Sequence, residues 1–415
     1  MIERLEAWLE GQHAGTFEFR EKSRVTFSYA TDAPATPISL SLPRHRAATP
    51  KAAGSYLENL LPDHKKSRER LASAYGAASP RTYDLLLSAG GDIAGGLVLT
   101  PGGEAPSTSP RALNPADDED IATRIAAIKR DSDDWAPRDA PARFSLAGTQ
   151  GKFALANLDG DWYWSNMGVP STHIVKPARP DLHNLETAES SALALARKAG
   201  IDASPAEVAR FIDQTSFITN RFDRVTENGA VRRLHAEDLA QALGEDPGRK
   251  YNVQLVAVAR LLNTTDGSGQ LTRDFLRQLA FNVLIGNADA HAKNYSVLLR
   301  PDSVSLSPLY DAVPLSLYPV FDQKLAMKVG GAEHAQAVHP VLWRKLARNI
   351  GFDEDEMVRI VSSVAERVGE CNDTAWSDLD DGQAGTLRKI IGRNVDVALG
   401  NAPGKLSSKL SPPPR

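Results

Sequence analysis

Cysteine is almost missing from this chain. Cys371 stands alone among 415 residues, which excludes a disulfide framework and a thiolate zinc site. Long apolar runs are missing as well: none approaches the roughly 20 residues that a membrane-spanning helix needs. The opening Met1-Ile-Glu-Arg-Leu-Glu-Ala-Trp8 carries acids where a secretory leader would be basic and then apolar. The expectation is a cytoplasmic protein with no membrane partner. There is no excess of positive charge. A formal net charge of -4 argues against a protein that grips nucleic acid strongly by itself, because that needs a basic footprint. The basic groups Arg44-His-Arg46 and Lys65-Lys66 with Arg68 and Arg70 read as solvated surface. Three catalytic strings are also absent: the Gly-x-Ser-x-Gly elbow, the His-Glu-x-x-His helix and the P-loop of NTPases.

What remains is ordinary globular composition, with 42% hydrophobic and 24% charged residues, enough for two or three domains. Phe17 and Phe19, then Val25, Phe27 and Tyr29, alternate with polar residues as strands do, and Ile38-Ser-Leu-Ser-Leu-Pro43 repeats the pattern. Residues 56–75 switch to helical spacing through Leu57, Leu60, Leu61 and Leu71. The glycine-rich Gly90-Gly-Asp-Ile-Ala-Gly-Gly96 lacks a lysine and a following helix, so it predicts a turn into a strand. A Pro, Gly and Ser-rich linker over 101–112, a short helix over Asp117–Lys129 and a polar stretch over Asp131–Arg143 separate this region from the next.

From Phe144 the spacing predicts strands at Phe153–Ala156 and Trp162–Trp164 around an Asp159-Gly160 turn, then Thr172–Lys176. A helix over Glu186–Lys198, with Asn184 as N-cap, precedes strands at Val208–Ile212 and Phe217–Phe222. Helices dominate beyond residue 235. The predicted fold is α+β: a β-rich N-terminal domain, then a two-lobed protein-kinase-like domain with an α-helical C-terminal lobe. Expected bounds are 1–110 for the first domain, 111–143 for linker and short helix, 144–234 for the small lobe, 235–400 for the helical lobe and 401–415 for a disordered tail.

The chemistry concentrates in Gly286-Asn-Ala-Asp-Ala-His-Ala-Lys-Asn294 and the later Asp311. An aspartate, an asparagine five residues on and a further aspartate after a hairpin is a kinase arrangement. Asp289 can orient or deprotonate an attacking hydroxyl, and Asn294 and Asp311 can hold Mg²⁺ against ATP phosphates. Lys176, on a small-lobe strand, can neutralise phosphate, with Glu189 of the next helix to hold it. In Ser145-Leu-Ala-Gly-Thr-Gln-Gly-Lys152, residues Ala147, Gly148, Thr149, Gln150, Gly151 and Lys152 form a candidate phosphate cover whose small residues admit close backbone approach. Asn220-Arg-Phe-Asp223 is the candidate connector. Its backbone at Asn220 and Phe222 would meet adenine, and Asp223 could reach a ribose hydroxyl. His291 is counted with the nucleotide site as a loop-structuring residue whose ring bonds the backbone or a carboxylate.

The ordered set Ser145–Lys152, Thr172-His-Ile-Val-Lys-Pro177, Asn220-Arg-Phe-Asp-Arg224, His235-Ala-Glu-Asp-Leu-Ala-Gln241, Leu284–Ser296 and Leu309-Tyr-Asp311 resembles the HipA family of serine/threonine-kinase toxins. Tyr56-Leu-Glu-Asn-Leu-Leu-Pro62 and Lys324-Leu-Ala-Met327 are further echoes. The resemblance implies Asp289 as catalytic base, Asn294 and Asp311 as metal ligands, Lys176 as phosphate lysine and Ser145 as a site of inactivating autophosphorylation. It implies ATP and Mg²⁺ as cofactors and an aminoacyl-tRNA synthetase, such as glutamate–tRNA ligase, as protein substrate, with growth arrest and persistence as consequences. It also implies a HipB-like helix-turn-helix antitoxin that carries the protein to operator DNA. The family pattern has glutamate where this chain has Gly151 and glycine where it has Ala290. A small-molecule kinase of similar fold and a catalytically weak co-repressor remain open alternatives.

Overall fold

The computed structural model describes all residues except 1, 21–23, 46–47, 50, 108–112, 138–141, 228–229 and 403–415. The expected tail therefore lies almost wholly outside the described residues, as do parts of the expected linker, of the polar stretch before Phe144 and of the basic group at 44–46. The chain forms two compact units: residues 1–186, 204–250 and 296–307 make the first, and 187–203, 251–295 and 308–415 the second.

The first unit is built on antiparallel sheets. Strands β1 (Glu3–Leu9), β2 (Gln12–Arg20) and β3 (Arg24–Tyr29) form a meander. After helices α1 (Ala52–Glu58), α2 (Lys65–Tyr75) and α3 (Thr82–Ala89), strand β4 (Val98–Pro101) closes the sheet in the order β3-β2-β1-β4. Alternation in β1 buries Leu5, Ala7 and Leu9 against Phe17, Tyr56 and Leu57. Pro62 explains why the helical spacing over 56–75 is two helices: it lacks an N–H and disfavours helix before it. The Ile38–Leu42 run, expected as a strand, is irregular. Its backbone groups are taken by side chains: the Tyr29 hydroxyl accepts from Ile38 N, Glu237 accepts from Leu40 N, and His235 donates to Ile38 O. Backbone groups satisfied in this way need no strand ladder.

That pairing has a consequence for pH. Ser39 Oγ also donates to Glu237, at 2.5 Å. Burial pushes the Glu237 carboxyl up to about 8 despite these two donors. A folded-state value above the unfolded 4.5 means that Glu237 supports the fold fully below that value. Its support fades as pH rises through about 8. Denaturation midpoints should therefore decline over this window, and Glu237→Gln should flatten that decline.

Helix α4 (Asp118–Arg130) begins with a capping box in which Asp117 and Asp120 exchange bonds. Strands β5 (Phe153–Leu158), β6 (Asp161–Trp164) and β7 (His173–Pro177), then α5 (Leu185–Lys198), β8 (Ala206–Phe211) and β9 (Gln214–Asn220), follow the predicted sequence of elements. The five strands order as β6-β5-β7-β9-β8. Asn184 adopts φ 57°, not the extended conformation of an ordinary N-cap. A hairpin, β10 (Arg224–Glu227) and β11 (Ala230–Arg233), precedes β12 (Ala236–Asp238) and α6 (Leu239–Leu243). Strand β12 pairs with β13 (Ser296–Leu299), which pairs with β14 (Val304–Leu306).

The second unit is helical: α7 (Leu255–Thr265), α8 (Gln270–Leu284), α9 (Pro340–Ile350), α10 (Glu354–Asn372) and α11 (Asp381–Leu399). Helix α8 buries Phe275, Leu279 and Val283 as its spacing predicts, with Leu276 beside them. No helix among the described residues is long and apolar enough to cross a membrane.

Candidate active site

The loop after α8 is organised by amides. Gly286 turns the chain with φ 70°, and a Cβ there would meet Ser316 Oγ at 2.6 Å, so this sharp exit from the helix needs glycine. Asn287 is buried. Its Nδ2 donates to Asn282 Oδ1 at 2.9 Å and to Asp311 O at 3.1 Å, and its Oδ1 accepts from Asp289 N at 3.3 Å. Asn282 Nδ2 in turn donates to the buried Tyr295 hydroxyl at 3.0 Å, and burial raises that phenol's pKa well above normal. Asn282, which the sequence pattern did not single out, thus braces the catalytic string through Asn287. The available signal was Asn282, an amide within the otherwise apolar run Leu279-Ala-Phe-Asn-Val-Leu284.

Asn294 sits on a single 3-10 turn, Ala292–Asn294. Its Nδ2 donates to Asp289 O at 3.0 Å, which ties both ends of the expected Asp–Asn spacing and turns the amide oxygen away from that bond. Asp311 has φ 54°, uncommon for a residue with a Cβ. Its carbonyl is held by Asn287. Asp289, Asn294 and Asp311 therefore share one hydrogen-bonded frame. Among the described residues no group of three His, Cys, Asp or Glu could hold a metal. The amide oxygen of Asn294 and the carboxylate of Asp311 are nevertheless hard oxygen donors, the type that suits Mg²⁺, which keeps waters and substrate phosphates for its remaining positions.

His291 structures the loop through its backbone: its N–H donates to Asp289 O at 2.7 Å and its carbonyl accepts from Asn294 N at 2.9 Å. Its ring packs edge-on against Tyr251 with centroids 5.1 Å apart. Tyr251, half exposed and not anticipated from sequence, donates its hydroxyl to Asp289 Oδ1 at 2.7 Å. A hydroxyl on that carboxylate shows that Asp289 can receive one.

In the first unit, Lys176 is buried on β7, with its ammonium 5.1 Å from the Phe217 ring centroid. Glu189 is buried on α5, in the second unit. The Ser145–Lys152 segment is closed by Lys152 Nζ donating to Ala147 O at 3.0 Å, and Asp63 N donates to Gly148 O. Gly148 takes φ 105°; Thr149 is exposed and Gln150 partly so. A Cβ on Gly151 would meet Ile128 Cγ2 at 2.5 Å and Ser132 O at 2.8 Å. Glutamate has no room on this backbone, which accounts for the glycine found here. Ser145 is 1% exposed and its hydroxyl donates to Leu60 O at 2.8 Å.

Asn220 is exposed at the end of β9, and Phe222 is half-buried. The N–H groups of Asn220 and Arg221 are bound to Pro205 O and Thr172 O. Asp223 corrects the ribose expectation. It is 4% exposed, and its carboxylate meets Arg221 at 2.7 Å, Arg224 at 3.0 Å and Gly95 N at 2.6 Å. Each of its oxygens is engaged inside the protein.

With this geometry in view, the comparisons are consistent with one another. The HipA N-terminal domain family matches residues 5–100, and the HipA-like C-terminal domain family matches residues 144–371. The chain is 29% identical to the putative kinase Y4mE of Sinorhizobium fredii over 395 residues, which cover 91% of this chain and 93% of the relative. It is 27% identical over 352 residues to the serine/threonine-protein kinase toxin HipA of Shewanella oneidensis, covering 80% and 79%. A solved complex of Shewanella oneidensis HipA with HipB and its operator DNA matches with a TM-score of 0.80 at 25% identity, over 95% of this chain and 97% of that one. The chain belongs to the HipA family of serine/threonine-protein kinases.

Proposed function

We propose that this protein transfers the γ-phosphoryl group of ATP to a serine or threonine hydroxyl of another protein, in the cytoplasm. The observation that carries this reading is the amide-braced frame of Asp289, Asn294 and Asp311. Asp289 receives the acceptor hydroxyl and its proton, as it receives the Tyr251 hydroxyl here. Asn294 and Asp311 would hold Mg²⁺, which when bound neutralises phosphate charge. Lys176, buried on β7, is the small-lobe cation for the phosphates. The backbone of residues 147–152 covers them, and the peptides around Asn220 and Phe222 receive the adenine. Asp223 has no direct part in this scheme.

The family resemblance supports an aminoacyl-tRNA synthetase as acceptor, with glutamate–tRNA ligase the first to try. Blocked charging would arrest growth and favour persistence. The solved Shewanella oneidensis complex of HipA with HipB and operator DNA supports a HipB-like antitoxin that brings this mildly acidic chain to DNA. Incubation with γ-labelled ATP, Mg²⁺ and a cell lysate tests the activity. Label on one discrete protein, lost with Asp289→Ala, is expected; label confined to metabolites would overturn the reading.

Ser145 is proposed to accept phosphate in an inactivating reaction. A dianion cannot share the space that its hydroxyl occupies against Leu60 O, so phosphorylation would expel the segment. Intact mass after incubation with ATP should rise by one phosphate and should not rise in Ser145→Ala. A full mass shift in that variant would refute the assignment.

A further inference from the structure

The glycine-rich segment Gly90–Gly96 plays no part in the chemistry above, yet it touches each segment of the proposed nucleotide site in the first unit. Asp92 is fully buried. Its backbone carbonyl accepts from Ser145 N at 2.9 Å, where the phosphate-covering segment begins. Its Oδ2 accepts from Ser171 N at 3.1 Å, where the chain enters β7 and runs to Lys176. Its Oδ1 accepts from Arg224 Nη2 at 3.0 Å, just past the connector. Ile93 O accepts from both Arg221 and Arg224, and Gly95 N donates to Asp223. Arg233 joins Gly91 O to Met167 O.

The glycines make this convergence possible. A Cβ on Gly91 would meet Met167 Cβ at 2.5 Å, and one on Gly95, at φ 76°, would meet Ala236 O at 2.5 Å. The turn is thus threaded through places that admit no side chain.

We propose that this turn of the N-terminal region is a built-in positioning element of the nucleotide site, with Asp92 as the positioning residue that sets the phosphate-covering segment, the lysine strand and the connector against one another. The inference rests on the kinase reading above. Its physical basis is that one buried residue, whose carboxylate binds Ser171 N and Arg224 and whose backbone carbonyl binds Ser145 N, leaves these three segments little freedom to move separately, and nucleotide affinity depends on such preorganisation. The N-terminal region is then part of the enzyme and not only a surface for partners.

The experiment uses the full chain. For Asp92→Asn, the KM for ATP and the calorimetric Kd for a non-hydrolysable ATP analogue with Mg²⁺ should rise about tenfold or more, with kcat at saturation within about threefold of wild type. A purely structural role predicts the reverse: fewer active molecules, hence lower apparent kcat and binding stoichiometry, with KM and Kd unmoved. That result would overturn the proposal. Should Asp92→Asn not fold, Arg233→Met cuts the same turn from Met167 at a partly exposed position, and Kd should rise severalfold; an unchanged Kd in this folded variant would overturn the proposal as well. Failure of the kinase reading looks different, with Asp289→Ala retaining full ATP turnover.

Discussion

Replacement of Asp289 by asparagine is expected to lower phosphoryl transfer by about a thousandfold while leaving the fold intact, since a positioned base typically contributes factors of about 10² to 10⁴. Among the described side-chain bonds, the Asp289 carboxylate accepts from the half-exposed Tyr251 hydroxyl, and the links that shape the loop use its backbone: Asp289 N to Asn287, Asp289 O to Asn294 and His291. Asparagine preserves those main-chain bonds and can still accept from Tyr251. What it loses is the negative charge and basicity that draw the acceptor proton. The fall should appear in kcat, with Kd for Mg²⁺ and ATP little changed, because Asn294 and Asp311 remain. Paired turnover and calorimetry measurements check this. Turnover near the wild-type rate would remove Asp289 from the role of base.

The second large effect belongs to Asp223→Ala, which should destabilise the native state by about 3–5 kcal/mol, the usual cost of removing one partner from a buried ion pair. Burial alone would raise the Asp223 carboxyl, but the Arg221 and Arg224 guanidiniums and the Gly95 N–H outweigh it and hold the carboxyl far below its usual range. Alanine would leave two buried guanidiniums, at 3% and 1% side-chain exposure, short of negative charge; Asp92, 3.0 Å from Arg224, remains. The sign of the pH dependence follows. A depressed folded-state pKa contributes stability that is present above the ordinary carboxylate value of 3.8. It is lost as pH falls through the folded value. Wild type should therefore weaken in acid more steeply than Asp223→Ala. Urea midpoints at neutral and acidic pH measure both effects, and a midpoint for Asp223→Ala equal to wild type would exclude this account. Glu237 acts in the opposite sense, since its burial erodes stability as pH rises from 4.5 towards about 8.

Legibility followed chain separation. The Asp289–Asn294 spacing, the strand carrying Lys176 and the hairpin before Asp311 could be read directly, because each is a matter of a few residues in local geometry. The helix break at Pro62 and the tight fit of Gly151 were harder. One needed a proline weighed against helical spacing, and the other needed the position of Ile128, more than 20 residues earlier. Asp223 was misread because a carboxylate beside a connector has the same sequence whether it faces solvent or a guanidinium.

The sequence by itself determined the kinase-type constellation, its order along the chain and the family resemblance, because short-range spacing sets which side chains a loop or strand can present. Only the tertiary structure decided which charges are buried together. Arg224 meets Asp92 across 132 residues of sequence, and desolvation, the force that makes such a pair matter, exists only once the chain has closed around it.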